Sequence, residues 1–293
     1  MIRDRERREY ALMLAPYLIG IAVLIALPGV VTFALALTEY DLIRSPRFIG
    51  LQNFRDLWND EIFRTSIRNS LMFILFAVPL RLLGAVSLAL LLHRRFRGAA
   101  GYRTAGYLPT VVPDVAYALL WLWIINPLYG PLNLALDAIG GPTPAWLTDP
   151  RAAQWAVILM SLFVIGEGFI VAMATRQGIP GELYELGDIE DATPLFMFWR
   201  VTLPFMAPTL LLLMFRDTIF SFQATFVPAL IVTDGGPPPY ATTYLPLFIY
   251  RNGFEYLRYG YASAATLVMF AMTAFIVYLQ YRIVKRWRHA FVV

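Results

Sequence analysis

The sequence predicts an all-α polytopic membrane protein with six transmembrane helices and both termini cytoplasmic. Three observations carry this reading. The 293 residues are 59% hydrophobic and 15% charged, whereas soluble domains carry about 25% charged residues. Six apolar runs are each long enough to cross a hydrocarbon core about 30 Å thick. Basic residues crowd onto alternate loops, the pattern expected of cytoplasmic segments.

The first run, 11 to 38, follows the basic stretch MIRDRERREY, which mimics the start of a secretory signal. It is far longer than the apolar core of a cleaved signal, about 7–15 residues, so it reads as a retained helix after a cytoplasmic N-terminus, 1–10. The runs 69 to 92, 105 to 128, 153 to 174, 205 to 233 and 260 to 281 complete a membrane domain over 11–281. A basic tail, 282–293, follows. With an even number of spans, the N-terminus, the loops 93–104 and 175–204 and the tail share one side, and they hold 14 Lys and Arg in 64 residues. The loops 39–68, 129–152 and 234–259 hold eight in 80 residues. The denser side is the cytoplasmic one. The net charge of +4 follows from this topology, and the lipid bilayer accounts for it without a nucleic-acid partner.

Between the first two spans, Phe54, Leu57 and Trp58 fall at helical spacing, and Ile62, Phe63 and Ile67 form a second apolar set. This segment reads either as an amphipathic piece at the interface or as a short cap on the bundle. GGPTP (140–144) and DGGPPP (234–239) are turn punctuation.

The loop 175–204, TRQGIPGELYELGDIEDATPLFMFWRVTLP, is the most informative segment. Pro180 suits the first turn of a helix, and Glu182, Glu185 and Asp188 follow three residues apart, near the positive end of its dipole. A break is expected at Asp191 to Pro194, then an amphipathic piece, Leu195 to Val201, that ends at Pro204 where the next span begins. Five acids fall within residues 182–191, on the side where loops favour Lys and Arg.

Five charges lie inside the spans: Arg81, Asp114, Glu167, Arg216 and Asp217. Each costs about 2.5–3.5 kcal/mol at mid-bilayer on insertion scales, so each needs a partner or a task. Arg216 and Asp217 are neighbours and point about 100° apart on a helix, which sends them to different partners. Gly166 and Gly168 beside Glu167 permit close helix approach. Tyr117, Trp121 and Trp123, with Phe222 and Gln223, offer aromatic faces and an amide to a passing solute, although Trp and Tyr also collect at membrane interfaces. Gln223 has the least interfacial reason to be there. Tyr117, Trp121, Glu167, Asp217, Phe222 and Gln223 are therefore the candidate substrate pathway.

The loop 175–204 resembles the cytoplasmic loop of ABC importer permeases, whose pattern is Glu-Ala-Ala, three residues, Gly, nine residues, then Ile-x-Leu-Pro. Glu185, Leu186 and Gly187 take the first three places, Asp191 that of the glycine, and Val201, Leu203 and Pro204 the ending. The spacing holds throughout, while Asp191 departs from glycine. Asp visits positive φ more than most residues, so the turn is expected to survive. YRTAGYLPTVVPDVAYALLWLWIINPLYGPLN (102–133), LIVTDGGPPPYATTYLPLFIYRNGFEYLRYGYASA (230–264) and FIGLQNF (48–54) resemble the carbohydrate branch of these permeases, the maltose and glycerol-3-phosphate type. The likeness spans residues 10 to 288.

The resemblance implies the type I importer permease fold, in a bacterial or archaeal plasma membrane. It implies a sugar or sugar-like solute, a second homologous permease, two ATP-binding subunits that hold ATP and Mg, and an extracytoplasmic solute-binding protein. This chain itself would hold no cofactor. The acidic loop would dock in the ATPase, with Glu182, Tyr184, Glu185, Gly187, Asp191 and Ala192 as the coupling residues.

The residues exclude other classes on their own terms. No cysteine is present, so there is no disulfide, thiolate nucleophile or Cys-based metal site. Lys285 is the single lysine, which removes a GxxxxGK[ST] phosphate loop and an intramembrane Schiff base. His93 and His289 lie at span ends, so no catalytic or metal-binding set forms inside the spans. A water channel of the two-half-helix kind needs two Asn-Pro-Ala motifs, and only Asn126-Pro127-Leu128 approaches one. An ion-coupled secondary transporter using Asp114 and Glu167 remains as the alternative, with the acidic loop unexplained.

Overall fold

The computed structural model describes residues 2–93 and 96–291. Arg94 and Arg95, with the side chains of Arg3, Arg5, Arg7, Arg8, Arg286, Arg288 and His289, lie outside the described residues. The chain divides into two compact units, Met1–Glu61 with Ile249–Ala271, and Ile62–Phe248 with Met272–Val293.

In the first unit, α1 (Ile2–Ile21) and α2 (Leu27–Ala36) are joined by a π turn, Ala22–Ala26, with no break in the helix. Its closing bond runs from the Leu27 N–H to the Ala22 carbonyl, just before Pro28, which has no N–H to give. Widening the turn by one residue absorbs the missing donor. The most apolar stretch of Glu9–Ala36 buries no residue among the described residues, so most of its circumference is left to lipid or to another chain. A two-stranded antiparallel hairpin follows, β1 (Thr38–Glu39) and β2 (Arg47–Phe48), with Thr38 opposite Phe48. In its loop the backbone N–H groups of Arg44 and Ile43 donate to Asp41 Oδ1 at 2.8 and 3.1 Å, which holds that carboxyl below the usual range. The Asn53 amide of α3 (Gln52–Asn59) donates to the Ala36 and Thr38 carbonyls, both at 2.9 Å. Further along the chain, a Cβ on Gly260 would clash with the Thr38 carbonyl oxygen, so only glycine fits there.

The second unit holds most of α4 (Glu61–Leu92), one helix of 32 residues. The expected start at 69 is therefore too late, and Ile62, Phe63 and Ile67 belong to this helix and not to an interfacial segment. Arg64, Ser66, Arg68 and Asn69 lower the hydropathy there without breaking the helix, because hydropathy reads lipid contact and not backbone preference. The third run bends by 104° between Ala99–Val111 and Asp114–Ile124. That is α5 (Ala99–Tyr107), a 3₁₀ turn (Leu108–Val111) and α6 (Asp114–Ile124). Pro113 holds Val112 at ψ 129° and ends the turn. After α7 (Pro131–Ala138), the fourth run also bends, by 46°, between α8 (Pro150–Leu162) and α9 (Gly166–Gln177). Gly166 sits where a Cβ would come within 2.9 Å of Tyr107 Cα, whereas at Gly168 the nearest atom is an ordinary 3.5 Å away. Close approach thus needs only the first of these two glycines.

The acidic loop carries α10 (Glu182–Ile189), then α11 (Pro194–Met197), a π turn (Phe198–Thr202) and α12 (Leu203–Ala224). From Pro194 on, these run as one helix, so the boundary expected at Pro204 does not exist. The Leu203 N–H reaches back to the Phe198 carbonyl, the same Leu-Pro device as at Leu27 and Pro28. The remaining helices are α13 (Phe226–Ile231), α14 (Leu245–Tyr250) and α15 (Tyr259–Phe291). Among the described residues, four helices are long and apolar enough to cross a membrane, or up to six if each bent pair is one span.

The DGGPPP turn is fastened by buried and half-buried side chains that the sequence did not single out. The Asn69 amide donates to the Tyr240 and Thr243 carbonyls at 2.9 and 3.1 Å and accepts from Gln154 at 3.1 Å. Gln154 also donates to the Ala241 carbonyl at 3.0 Å, and Ser70 Oγ accepts from the Leu245 N–H at 3.0 Å. Asn69→Leu strands these groups at about 1–3 kcal/mol each. A lower melting temperature and faster proteolysis in 234–244 are expected, measured on the purified permease; wild-type values for both would contradict this account.

Candidate functional sites: the acidic loop and a charged cavity

On α10, Glu182, Glu185 and Asp188 are exposed, and so are Leu186 and Ile189. Leu195, Phe196 and Trp199 add further exposed apolar side chains on the far side of the turn. The inward face of α10 is fixed. Leu183 and Tyr184 pack on a core built by Phe169, Ala172, Met206 and Leu210. The Tyr184 hydroxyl and Thr202 Oγ1 are hydrogen-bonded at 2.7 Å, and the Arg176 guanidinium lies 4.1 Å over the Tyr184 ring. Gly187 is buried, and a Cβ there would meet Met197 Sδ at 2.6 Å. Of the expected coupling residues, Tyr184 and Gly187 therefore seat the helix on this chain and present little to an outside partner.

Asp191 takes φ +51°. The Ala192 N–H bonds the Gly187 carbonyl at 2.8 Å and the Asp191 N–H the Asp188 carbonyl at 3.4 Å. This is a Schellman ending with aspartate in the left-handed place usually held by glycine. Ala192 contributes its backbone. Thr193 then caps the next helix, its hydroxyl accepting from the Phe196 N–H at 3.3 Å, and Pro194 occupies the first turn.

The five intramembrane charges converge on one cavity of about 140 Å³, which is also lined by Thr110, Ile165 and Phe220. Both broken runs break here: Asp114 opens α6, and Glu167 lies in the first turn of α9. Arg216 and Asp217 find different partners, as their angular separation requires. Arg216 pairs with Glu167. Arg81, 4% exposed, places Nε 3.1 Å from Asp217 Oδ2 and also donates to Ser221 Oγ. Asp114 is exposed to the cavity and has no hydrogen bond or ion pair among the described residues. The two bases and three acids leave the cavity with one net negative charge when all are ionised.

The aromatic candidates are spent on this chain's own packing. The Tyr117 hydroxyl donates to the Met160 carbonyl at 2.7 Å, a second bond to a carbonyl that also accepts from the Phe163 N–H at 3.3 Å where α8 ends. Trp121 is buried, edge-on to Phe163 at 5.2 Å and to Tyr117 at 6.2 Å. Phe222 is buried at the C-terminal end of α12. Gln223, next to it, is exposed. The sequence offered no means to separate these cases, because core aromatics and pathway aromatics have the same composition and spacing.

Residues 85–289 match the family model described as the binding-protein-dependent transport system inner membrane component. The chain belongs to this family. It is 31% identical over 292 residues to the probable ABC transporter permease protein YesP of Bacillus subtilis, covering 98% of this chain and 94% of that one. The sulfoquinovosyl glycerol transport system permease protein SmoG of Agrobacterium fabrum is 30% identical over 287 residues, covering 96% and 91%. A chain in the crystal structure of a bacterial alginate ABC transporter, in complex with its alginate pentasaccharide-bound periplasmic protein, superposes with a TM-score of 0.83 at 25% identity, covering 97% and 96%. The chain is accordingly an inner-membrane transport subunit and not an enzyme, and it works with ATPase and solute-binding partners. The ion-coupled carrier gives way to this family, and Glu167 is already engaged by Arg216.

The Arg81–Asp217 pair generates a prediction. Arg81→Met leaves the Asp217 carboxylate uncompensated, at about 3–5 kcal/mol for a broken buried pair. The double variant Arg81→Met/Asp217→Leu is expected to regain more than half of the lost melting temperature. A double variant no more stable than the single one would show that the pair does not hold α4 to α12.

Proposed function

We propose that this chain is one of two related permease subunits of an ATP-driven importer for a sugar or sugar-like solute, crossing the plasma membrane of a bacterium or archaeon six times with both termini cytoplasmic. The residues 1–10 and 282–293 are then cytoplasmic, and 11–281 form the permease domain with the coupling loop 175–204. Two ATPase subunits binding ATP and Mg, and an extracytoplasmic binding protein, complete the assembly. The balance of basic residues supports the orientation, and the carbohydrate names of the relatives support the solute class.

One observation carries the mechanism. The acidic helix α10 is seated rigidly between α9 and α12, and both of these helices continue to the charged cavity. In this reading Glu182 and Glu185 meet the ATPase, while Leu186 and Ile189 fill its cleft. Tyr184, Gly187, Asp191 and Ala192 act by position, holding the angle of the helix. Closure of the ATPase dimer pushes α10, α9 and α12 move with it, and the cavity opens to alternate sides. Glu167 and Asp217 bound the solute's path, with Asp114 as the carboxylate left to hydrogen-bond solute hydroxyls. Gln223 offers its amide on the exposed face of α12. Tyr117, Trp121 and Phe222 shape the path from behind.

Glu185→Arg is expected to insert at wild-type levels and to lower uptake and ATPase association on the order of tenfold or more, the scale of a lost charged contact at an interface. Normal uptake and association in proteoliposomes would contradict the coupling role.

A further inference from the structure

We propose that Leu51, Phe54, Arg55 and Trp58 form a phospholipid-binding stripe that seats α3 in the membrane–water interface where the first span ends. These residues recur at helical spacing and share one face of α3, while Asn53 and Leu57 face inward and are buried. Leu51 and Trp58 are 70% and 72% exposed. With Ile49 and Gln52 the stripe lines a groove of about 570 Å³. A soluble loop has little reason to expose so much apolar surface beside a guanidinium.

The height of this helix is set by its anchor. Asn53 donates to the carbonyls of Ala36 and Thr38, and Ala36 is the last residue of the first membrane helix. The stripe therefore begins within about one helical turn of the hydrocarbon edge, continuous with a helix whose apolar stretch buries nothing inside the chain. The neighbouring aromatics fit the same depth. Tyr40 packs on Tyr259 at 6.1 Å, Tyr259 packs on Phe254 at 6.0 Å, and Tyr256 is exposed. Trp and Tyr prefer this layer because their rings are apolar and their polar atoms reach water.

Charge selects the ligand. Arg55 has no ion-pair partner among the described residues, and it lies between Phe54 and Trp58. A cation flanked by apolar groups matches a phosphate above acyl chains. An amphipathic helix bound this way buries its apolar face about 5–10 Å into the headgroup boundary. The absence of cysteine makes a single introduced one a unique probe.

Trp58→Cys and Leu51→Cys carrying a nitroxide are tested in the assembled transporter, with partner cysteines replaced, in vesicles of phosphatidylethanolamine and phosphatidylglycerol. Leu24→Cys, on the exposed surface of the first span, is the lipid-facing reference. Both labels are expected to collide with oxygen several-fold more than with a water-soluble nickel chelate, and Arg55→Glu is expected to move both toward the nickel reagent. Collisions dominated by nickel would overturn the proposal, as would shielding from both reagents by a protein partner or indifference to Arg55→Glu.

Discussion

A helix that breaks inside hydrocarbon must find new partners for the backbone groups it frees, and in the proposed six-span arrangement this constraint organises the second unit. Two apolar runs bend, by 104° and 46°, and both bends open on the same small cavity. The site is tolerable because it is polar already. Arg81 and Asp217 join α4 to α12, Arg216 and Glu167 join α12 to α9, and the Tyr117 hydroxyl occupies the Met160 carbonyl at the end of α8. The charges and the breaks justify each other, since either alone would be costly in lipid.

The acidic loop depends on the same framework. Its outer face has charge and apolar surface without internal partners among the described residues, while its inner face is closed by Tyr184, Gly187 and the core under them. In the proposed coupling, a helix held this way transmits a push as a lever. Its two flanking helices carry Glu167 on one side and Arg216 with Asp217 on the other, so a displacement of the loop reaches the ion pairs through continuous secondary structure. The π turn at Phe198–Thr202 keeps that path unbroken through Pro204.

Much of this was legible in the sequence, and the gaps have physical causes. Hydropathy located the apolar runs, four of them single long helices and two of them bent pairs among the described residues, but missed both bends, because a window averages over a break that leaves composition unchanged. Pro113 marked one bend; the other rests on Gly166 meeting Tyr107, a tertiary contact. The five charges stood out individually, and the neighbours Arg216 and Asp217 correctly implied two partners, yet their convergence on one cavity needed the fold. Asp191 shows the reverse case. An apparent departure from the family pattern keeps the left-handed turn, as aspartate's tolerance of positive φ allows. Asn69 and Gln154 went unnoticed because a lone amide in an apolar run has no motif.

The most direct test of the account is cross-linking from the outer face of the acidic helix. Leu186→Cys, in an otherwise cysteine-free chain, is coupled to a short photoreactive linker in the assembled transporter and illuminated. The account predicts a covalent product with an ATPase subunit. Capture of the ATPase from a probe at position 58, with none from position 186, would contradict it.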